Sequence, residues 1–157
     1  MFKFGPRRGM RRGTSAIEWY ERGRALEATD PAAAIHAYER AIAGRPDLAD
    51  AHNNVGRLHH DVGQLADAEA QYRLALCADR GVALYWFNLG VVLEDQGRAA
   101  EAIAGYEHAL ALDVHLADAH FNLARQIERA ALRANDEVLM RRAVRHLKQY
   151  RELSRAG

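Results

Sequence analysis

A short stretch of this sequence occurs twice at a fixed interval. Residues 48–52, Leu-Ala-Asp-Ala-His, recur as residues 116–120, a separation of 68 residues or twice 34. Five further pairs of small or aromatic residues are spaced by 34: Gly56 and Gly90, Gly63 and Gly97, Ala68 and Ala102, Tyr72 and Tyr106, Ala75 and Ala109. A period of this length indicates a stack of small structural units, each of which buries its apolar face only against its neighbours.

The pattern inside each period is typical of two helices joined by a turn. Trp86, Leu89 and Gly90 fall in one stripe when each residue turns by about 100°. Gly63 and Gly97 are placed to end first helices. Asp30-Pro31 and Asn135-Asp136 are placed to begin later helices.

Small residues indicate where the two helices of a unit cross. Neither the stripe glycine nor the alanine of the second helix, Ala68 or Ala102, has the bulk to hold the helices apart. We therefore expect Ala102 to be buried and Ala100, two residues earlier, to be exposed. The tyrosines are expected to fill the space that the close approach leaves at the next layer.

The period and these residues resemble the tetratricopeptide repeat, a helix–turn–helix unit. The clearest copy contains Trp86-Phe-Asn-Leu-Gly90, Gly97, Ala102, Tyr106 and Ala109. The resemblance covers about residues 16–155 and implies an all-α fold, a right-handed α-solenoid of antiparallel helix pairs. It divides the chain into a basic, disordered tail (1–15), a first repeat one residue short (16–48), two full repeats (49–82 and 83–116), and a degenerate fourth repeat or C-terminal capping helices (117–155).

Composition and charge narrow the function classes. The 157 residues carry a net charge of +1, with five basic residues and no acidic residue in 1–15, a net charge of +3 in 134–157, and −7 in between. An acidic body argues against binding nucleic acid along its length. We find no apolar run long enough for a membrane span and no signal peptide, and a single cysteine forms no internal disulfide, so we expect a cytoplasmic protein.

No pattern in the sequence predicts catalysis, a metal or a cofactor. His52 and His120 occupy equivalent repeat positions, in the packing stripe where another copy has Trp86, so packing explains them better than chemistry. His59 and His60 are adjacent and point about 100° apart on a helix, which disfavours chelation of one ion. Cys77 has no obvious activating neighbour, and core or interface packing is the expected role. We expect no catalytic residue, no metal site and no small-molecule substrate.

A second face of each first helix avoids the packing stripe and is the candidate binding surface. Its positions lie two and three residues before the repeat glycine and one, four and five residues after it. In tetratricopeptide arrays the first helices line a concave groove, so we call these positions the groove face. The predicted partner-binding residues on it are Asn54, Asn88, Asn122, Phe87, Phe121, Arg57, Arg125, Asp61, Glu94 and Asp95.

Three of these residues form a regular series. Asn54, Asn88 and Asn122 step by 34, so stacked repeats would set their amides in a ladder able to bond the main chain of an extended peptide. The arrangement looks like the asparagine ladder in the tetratricopeptide part of O-linked N-acetylglucosamine transferase. The alternative is that these asparagines only make local hydrogen bonds.

Charge on the groove face predicts the partner's character. Counting Asp50 and Asp118, seven acidic residues face four arginines, a net charge of −3, which favours a neutral or mildly basic protein segment. The lysine, asparagine and arginine clamp that related repeats use for chaperone tails is absent, because Tyr20, Arg24 and Leu84 stand at its positions and only Asn54 matches.

Two functions follow from the sequence. The first is a non-catalytic scaffold or adaptor that holds an extended or helical segment of a partner protein in the groove. The alternative is an adaptor tethered to nucleic acid or another acidic surface through its basic termini. The arginines of the last helix also have a simpler explanation, because the open end of a repeat stack needs a solvated cap.

Overall fold

Eight helices make up the described part of the chain. The structure is a computed structural model that describes residues 13–156, so most of the predicted basic tail lies outside it. The helices are α1 (Ala16–Leu26), α2 (Pro31–Gly44), α3 (Ala49–Asp61), α4 (Leu65–Ala78), α5 (Ala83–Asp95), α6 (Ala99–Leu112), α7 (Ala117–Ala134) and α8 (Glu137–Ala156). Residues 13–156 contain no strand.

The helices pack as four consecutive pairs. The most extensive contacts join α1 to α2, α3 to α4, α5 to α6 and α7 to α8. Each second helix then packs against the first helix of the next pair, and α3 also contacts α5. This arrangement is an all-α helical repeat solenoid, as the sequence predicts.

A glycine and a tyrosine of the same repeat hold each of the first three pairs together. A Cβ atom added to Gly23, Gly56 or Gly90 would lie only 2.7–2.8 Å from the ring of Tyr38, Tyr72 or Tyr106, respectively. The three tyrosines are almost completely buried. The tyrosine therefore fills the space above its own repeat glycine, and the expectation that it fills the next layer is corrected.

Small residues in the second helices complete the crossing. Ala34, Ala68 and Ala102 have no exposed surface. The carbonyl oxygens of Ala68 and Ala102 lie 3.3 Å from where a Cβ on Gly56 and Gly90 would be. Ala100 is exposed, so the predicted register of α6 is confirmed.

One position of the packing stripe carries a ring N–H in three repeats. His52 Nε2 contacts the Pro46 carbonyl at 3.2 Å, Trp86 Nε1 donates to the Arg80 carbonyl at 3.0 Å, and His120 Nε2 contacts the Val114 carbonyl at 2.9 Å. In each case the carbonyl belongs to the sixth residue before the ring. Because a carbonyl only accepts, this contact places a proton on Nε2 of both histidines. Tryptophan and histidine therefore interchange here because both supply this donor.

The fourth pair, α7 and α8, is the last of the described stack, and we call it the cap. Asn135 ends α7 in the left-handed conformation (φ 51°), and the Asp136 carboxylate accepts from the backbone N–H groups of Val138 and Leu139 at the start of α8. Ala143 of α8 is buried. Helices α7 and α8 have 18 and 20 residues, more than those of the repeats before them.

Two histidines join the helices of this cap. His120 Nδ1 and His146 Nδ1 are 2.9 Å apart. Since His120 carries its proton on Nε2, its Nδ1 accepts and His146 Nδ1 donates. Burial, together with His120, Arg142 and Arg145, lowers the pKa of His146 to about 4, while Glu107 opposes this shift.

Replacing Ala102 with Leu should destabilise the protein by about 1–3 kcal/mol, because the larger side chain overfills the crossing with α5. Replacing the exposed Ala100 with Leu should change stability by no more than about 0.5 kcal/mol. Urea denaturation measures both variants. Equal losses of stability would contradict the crossing geometry.

Acidification should weaken the cap. The unfolded chain takes up a proton on His146 near pH 6.5, whereas the folded chain does so only near pH 4. Stability should therefore fall as the pH decreases through this window, by about 1–2 kcal/mol because the ring is only half-buried.

The matched control for this pH effect is His146→Gln, since glutamine is the residue that bonds His52 in the second repeat. Denaturation at several pH values should show a flatter profile for the variant between pH 6.5 and 4. An unchanged slope in the variant would show that another group produces the pH dependence.

Candidate functional site

The groove face is carried by α1, α3, α5 and α7. Most of its side chains are exposed or half-buried, in contrast to the packing stripe on the opposite side of the same helices. Asn53 is an exception, with 6% of its surface exposed.

The asparagines of the predicted ladder make hydrogen bonds between neighbouring repeats. Asn54 Nδ2 donates to the Tyr38 hydroxyl at 3.2 Å. Asn88 Nδ2 instead donates to Asn53 Oδ1 at 2.9 Å. Asn122 lies close enough to the Tyr106 hydroxyl to oppose the rise in the pKa of that tyrosine. Asn54 and Asn88 therefore have a structural role whether or not they also touch a ligand.

Two matched clusters surround the first and last of these asparagines. The first cluster consists of Glu27, Tyr38, Asn54 and Arg57. The Tyr38 hydroxyl and the Arg57 guanidinium both donate to the Glu27 carboxylate, and Arg57 Nη1 lies 3.6 Å from Asp61. Burial and the bonded carboxylate raise the pKa of Tyr38, so its hydroxyl stays protonated and serves as a donor.

The second cluster has the same composition two repeats later: Glu94, Tyr106, Asn122 and Arg125. The Tyr106 hydroxyl donates to Glu94 at 2.8 Å, and burial and this bond raise the pKa of Tyr106. Arg125 and Arg129 lie 3.9 and 3.7 Å from the Glu94 carboxylate. The two clusters together contain five of the ten predicted site residues.

The junction between the second and third repeats lies between the two clusters and has different chemistry, and we call it the middle step. The position of Glu27 and Glu94 is taken by His60, and the position of Arg57 and Arg125 is taken by Val91. His60 Nε2 lies 2.6 Å from Asp95 of the next repeat. Tyr72 has no bonded carboxylate, and burial and nearby Asp61 raise its pKa to about 12. The middle of the groove face is therefore less charged than its two ends.

The two predicted phenylalanines rest on aromatic rings. Phe87 packs on Tyr106 with ring centroids 5.8 Å apart, and it is half-buried. Phe121 packs on Tyr150 at 5.0 Å, lies under Arg125, and has 36% of its surface exposed. Both present apolar surface next to the asparagines.

The repeat tyrosines contribute to this surface, a role that their packing position in the sequence does not predict. The hydroxyls of Tyr38 and Tyr106 reach the groove face and donate to Glu27 and Glu94. The repetition of tyrosine beside a following asparagine, 16 residues later, was the available signal.

Histidines and the cysteine do not assemble an obvious reaction centre. In the described residues, no group of three or more His, Cys, Asp or Glu side chains is arranged to hold a metal ion. Cys77 is exposed, so the expected core role is wrong for this residue. No helix within residues 13–156 is both long enough and apolar enough to cross a membrane.

Comparison with protein families identifies the class of this protein. Two tetratricopeptide repeat models match the sequence, one over residues 24–83 and the other over residues 83–115. Together they span more than half of the chain, and the chain belongs to the tetratricopeptide repeat family. A comparison with curated proteins finds no significant match.

Several solved structures share the fold. A crystal structure of MamA superimposes with a TM-score of 0.79 at 17% identity, over 91% of this chain and 80% of that chain. MamA from Desulfovibrio magneticus RS-1 gives 0.75 at 20% identity, over 92% and 78%. The first repeat domain of Spaghetti (RPAP3), bound to the HSP90 peptide SRMEEVD, gives 0.71 at 20% identity, over 74% and 94%. At these identities the likeness shows the fold alone.

Replacing Asn54 or Asn88 with Ala should lower the free energy of unfolding by about 0.5–1.5 kcal/mol, because each change removes a hydrogen bond between repeats. Thermal or urea denaturation measures the loss. Unchanged stability in both variants would show that these hydrogen bonds are not maintained in solution.

Proposed function

We propose that this protein is a non-catalytic interaction module, a scaffold or adaptor that holds an extended or helical segment of a partner protein on its groove face. The family to which it belongs consists generally of non-catalytic interaction modules, and one protein of the same fold carries a bound peptide. The observation that carries the proposal is the contrast between the two ion-paired clusters and the weakly charged step between them.

The clusters are suited to hold the groove face rigid. Each ties one repeat to the next through a carboxylate, a tyrosine hydroxyl and an arginine, and the first cluster also through the Asn54 amide. Groups fixed in advance lose little side-chain entropy when a ligand binds, which favours affinity. The clusters therefore support a peptide on either side of the middle step.

The middle step is suited to receive an apolar side chain. Val91 and Phe87 are half-buried, and Leu84 at the beginning of α5 is 47% exposed. A side-chain amide has two donor hydrogens and an acceptor, so half-buried Asn88 can bond a peptide main chain in addition to Asn53. We expect the partner segment to place an apolar side chain here.

Charge supports a neutral or mildly basic segment. Each groove-face arginine lies near a carboxylate: Arg24 near Glu21, Arg57 near Glu27, and Arg125 and Arg129 near Glu94. Asp95 has only His60, and Asp50 accepts from the uncharged Tyr85 hydroxyl. The surplus is negative, so a basic segment should be captured faster at low salt than at high salt.

The acidic peptide bound by the Spaghetti domain is a poor guide to this partner. Leu84 and Tyr20 occupy positions at which related repeats that bind chaperone tails carry lysine. We therefore do not extend that ligand to this chain.

Replacing Val91 with Arg tests the groove directly. Arginine already stands at this position where the first repeat meets the second (Arg57) and where the third meets the fourth (Arg125), so the fold should tolerate it. The change also places a charge in the middle of the groove face. Binding of the natural partner segment, isolated with the wild-type protein and measured by fluorescence anisotropy, should weaken by about fivefold or more.

The control is Val62→Arg, at a position 64% exposed and outside the groove face. This variant should bind like the wild type. Unchanged affinity in Val91→Arg, with both variants folded by circular dichroism, would mean that the partner binds elsewhere.

The exposed basic side of α8 favours the alternative function, tethering through the basic ends. Arg142 pairs with Glu107, but Arg141, Arg145, Arg151 and Arg155 are exposed and basic. Duplex DNA binding should then be strongly salt-dependent and should weaken when residues 1–15 are deleted. No measurable binding at low salt would rule out tethering to nucleic acid.

A further inference from the structure

A cleft opens on the side of α5 opposite the groove face. It has a volume of about 460 Å³ and is lined by Arg73, Leu76, Cys77, Arg80, Trp86 and Leu89. It continues past Trp86 toward α6, where Leu93, Glu101, Ala104, Gly105 and His108 line a smaller space of about 180 Å³, in which Glu101 lies 3.9 Å from Arg73. Trp86 and Leu89 point away from Asn88 and Val91, since residues of a helix are separated by about 100°. The cleft is therefore a separate surface, and its role does not depend on the groove proposal.

An apolar floor and an aromatic wall define the cleft. Leu76 and Leu89 are core residues that it reaches. The Trp86 ring stacks on His108 with centroids 4.4 Å apart, and its Nε1 is fixed by the Arg80 carbonyl. The ring is thus held in place before a ligand arrives, and the volume lies within the range of pockets that take ligands.

Arg80, an arginine without a carboxylate partner among the described residues, lies at the mouth of the cleft. Arg80 is exposed, and its guanidinium carbon lies 5.8 Å from the centre of the Trp86 ring. Within residues 13–156, no carboxylate lies within ion-pair distance of Arg80. Arg73, by comparison, is paired with Glu69. Arg80 is the group that can bind an anion here.

Internal repetition shows that the fold does not require these residues. At the position of Arg80 the neighbouring repeats have Pro46 and Val114, and at that of Cys77 they have Ala43 and Ala111. Trp86 is replaced by His52 and His120, which keep the same carbonyl contact. At the position of Gly105 the second repeat has Gln71, whose side chain occupies the space and bonds His52. Trp19 of the first repeat also stands at the position of Trp86 and lines a space of about 330 Å³. The combination of Trp86 with Cys77 and Arg80 occurs at the α4–α5–α6 step.

We propose that this cleft binds an acidic segment of a partner protein, one that places an aromatic or long aliphatic side chain next to a carboxylate. The apolar side chain lies between Trp86 and Leu89, and the carboxylate pairs with Arg80. The groove face is negative and the cleft mouth is positive, so the two surfaces select segments of different charge. A protein with both surfaces can bring two partners together.

Cys77 makes the proposal directly testable, because it is the single cysteine of the chain and lies on the cleft wall. The full chain is equilibrated with 2-mercaptoethanol mixed disulfides of short peptides, and the protein–peptide disulfide is quantified by mass spectrometry. The probes are acetyl-Cys-Gly-Phe-Glu-amide and its variants with Gln for Glu, Lys for Glu, or Ala for Phe. Peptides that bind the cleft shift this exchange toward the protein adduct.

We expect the Phe–Glu peptide to exceed the Phe–Gln peptide by about two- to fivefold, the range of a partly exposed ion pair. The ratio should fall to about one in Arg80→Val, which installs the residue of the next repeat. The preference for Phe over Ala should fall in Trp86→His, which keeps the ring N–H.

The matched control moves the thiol to the next repeat in a Cys77→Ala, Ala111→Cys double variant. Both preferences should disappear there, because the equivalent position lacks Arg80 and Trp86. Equal adducts for all peptides on the wild type, a preference for Lys, or the same preference at position 111 would each overturn the proposal. Circular dichroism checks that every variant is folded.

Discussion

The close contact between one glycine and one tyrosine in each repeat is the constraint on which the rest of this structure depends. A methyl group on Gly56 or Gly90 would lie less than 3 Å from the tyrosine ring, so a larger residue would fit only if the ring or one of the two helices shifted. The same contact positions the tyrosine hydroxyl. In the first and third repeats that hydroxyl emerges on the groove face and bonds Glu27 or Glu94. Packing within a repeat thus determines where the polar groups of the groove stand.

The groove face carries the same polar groups at two junctions between repeats and different groups at the junction that lies between them. Two steps of the stack carry the same carboxylate, tyrosine, asparagine and arginine, and the step between them replaces the charged members with His60 and Val91. Because the backbone is nearly the same at each step, such replacements change chemistry without changing architecture. The cleft beside Trp86 arises in the same way on the opposite side of α5. Two surfaces of different charge therefore coexist on one short solenoid.

The structures of similar fold show which features this chain shares with other proteins. Structures that superimpose over about nine-tenths of the chain share less than a quarter of their residues with it. The arrangement of helices is therefore common to these proteins, whereas the side chains of the two surfaces are not. Only the residues of this chain indicate what each surface binds. The groove face favours a neutral or mildly basic segment and the cleft favours an acidic one, and either proposal can be disproved without the other.

The sequence by itself determined the repeat, the helices, their ends and most of the core. The spacing of 34, the caps at Asp30 and Asp136 and the burial of Ala102 are local or periodic properties, and a one-dimensional pattern is sufficient to specify them. The tertiary structure alone decided which side chains meet across repeats. Asn54 reaches Tyr38 whereas Asn88 reaches Asn53, and His60 reaches Asp95. These contacts depend on how each repeat is rotated and displaced relative to the next, a quantity set by packing and not by the period. The exposure of Cys77 beside Arg80 and Trp86 follows from packing in the same way, since the cleft forms where the consecutive helices α4, α5 and α6 meet.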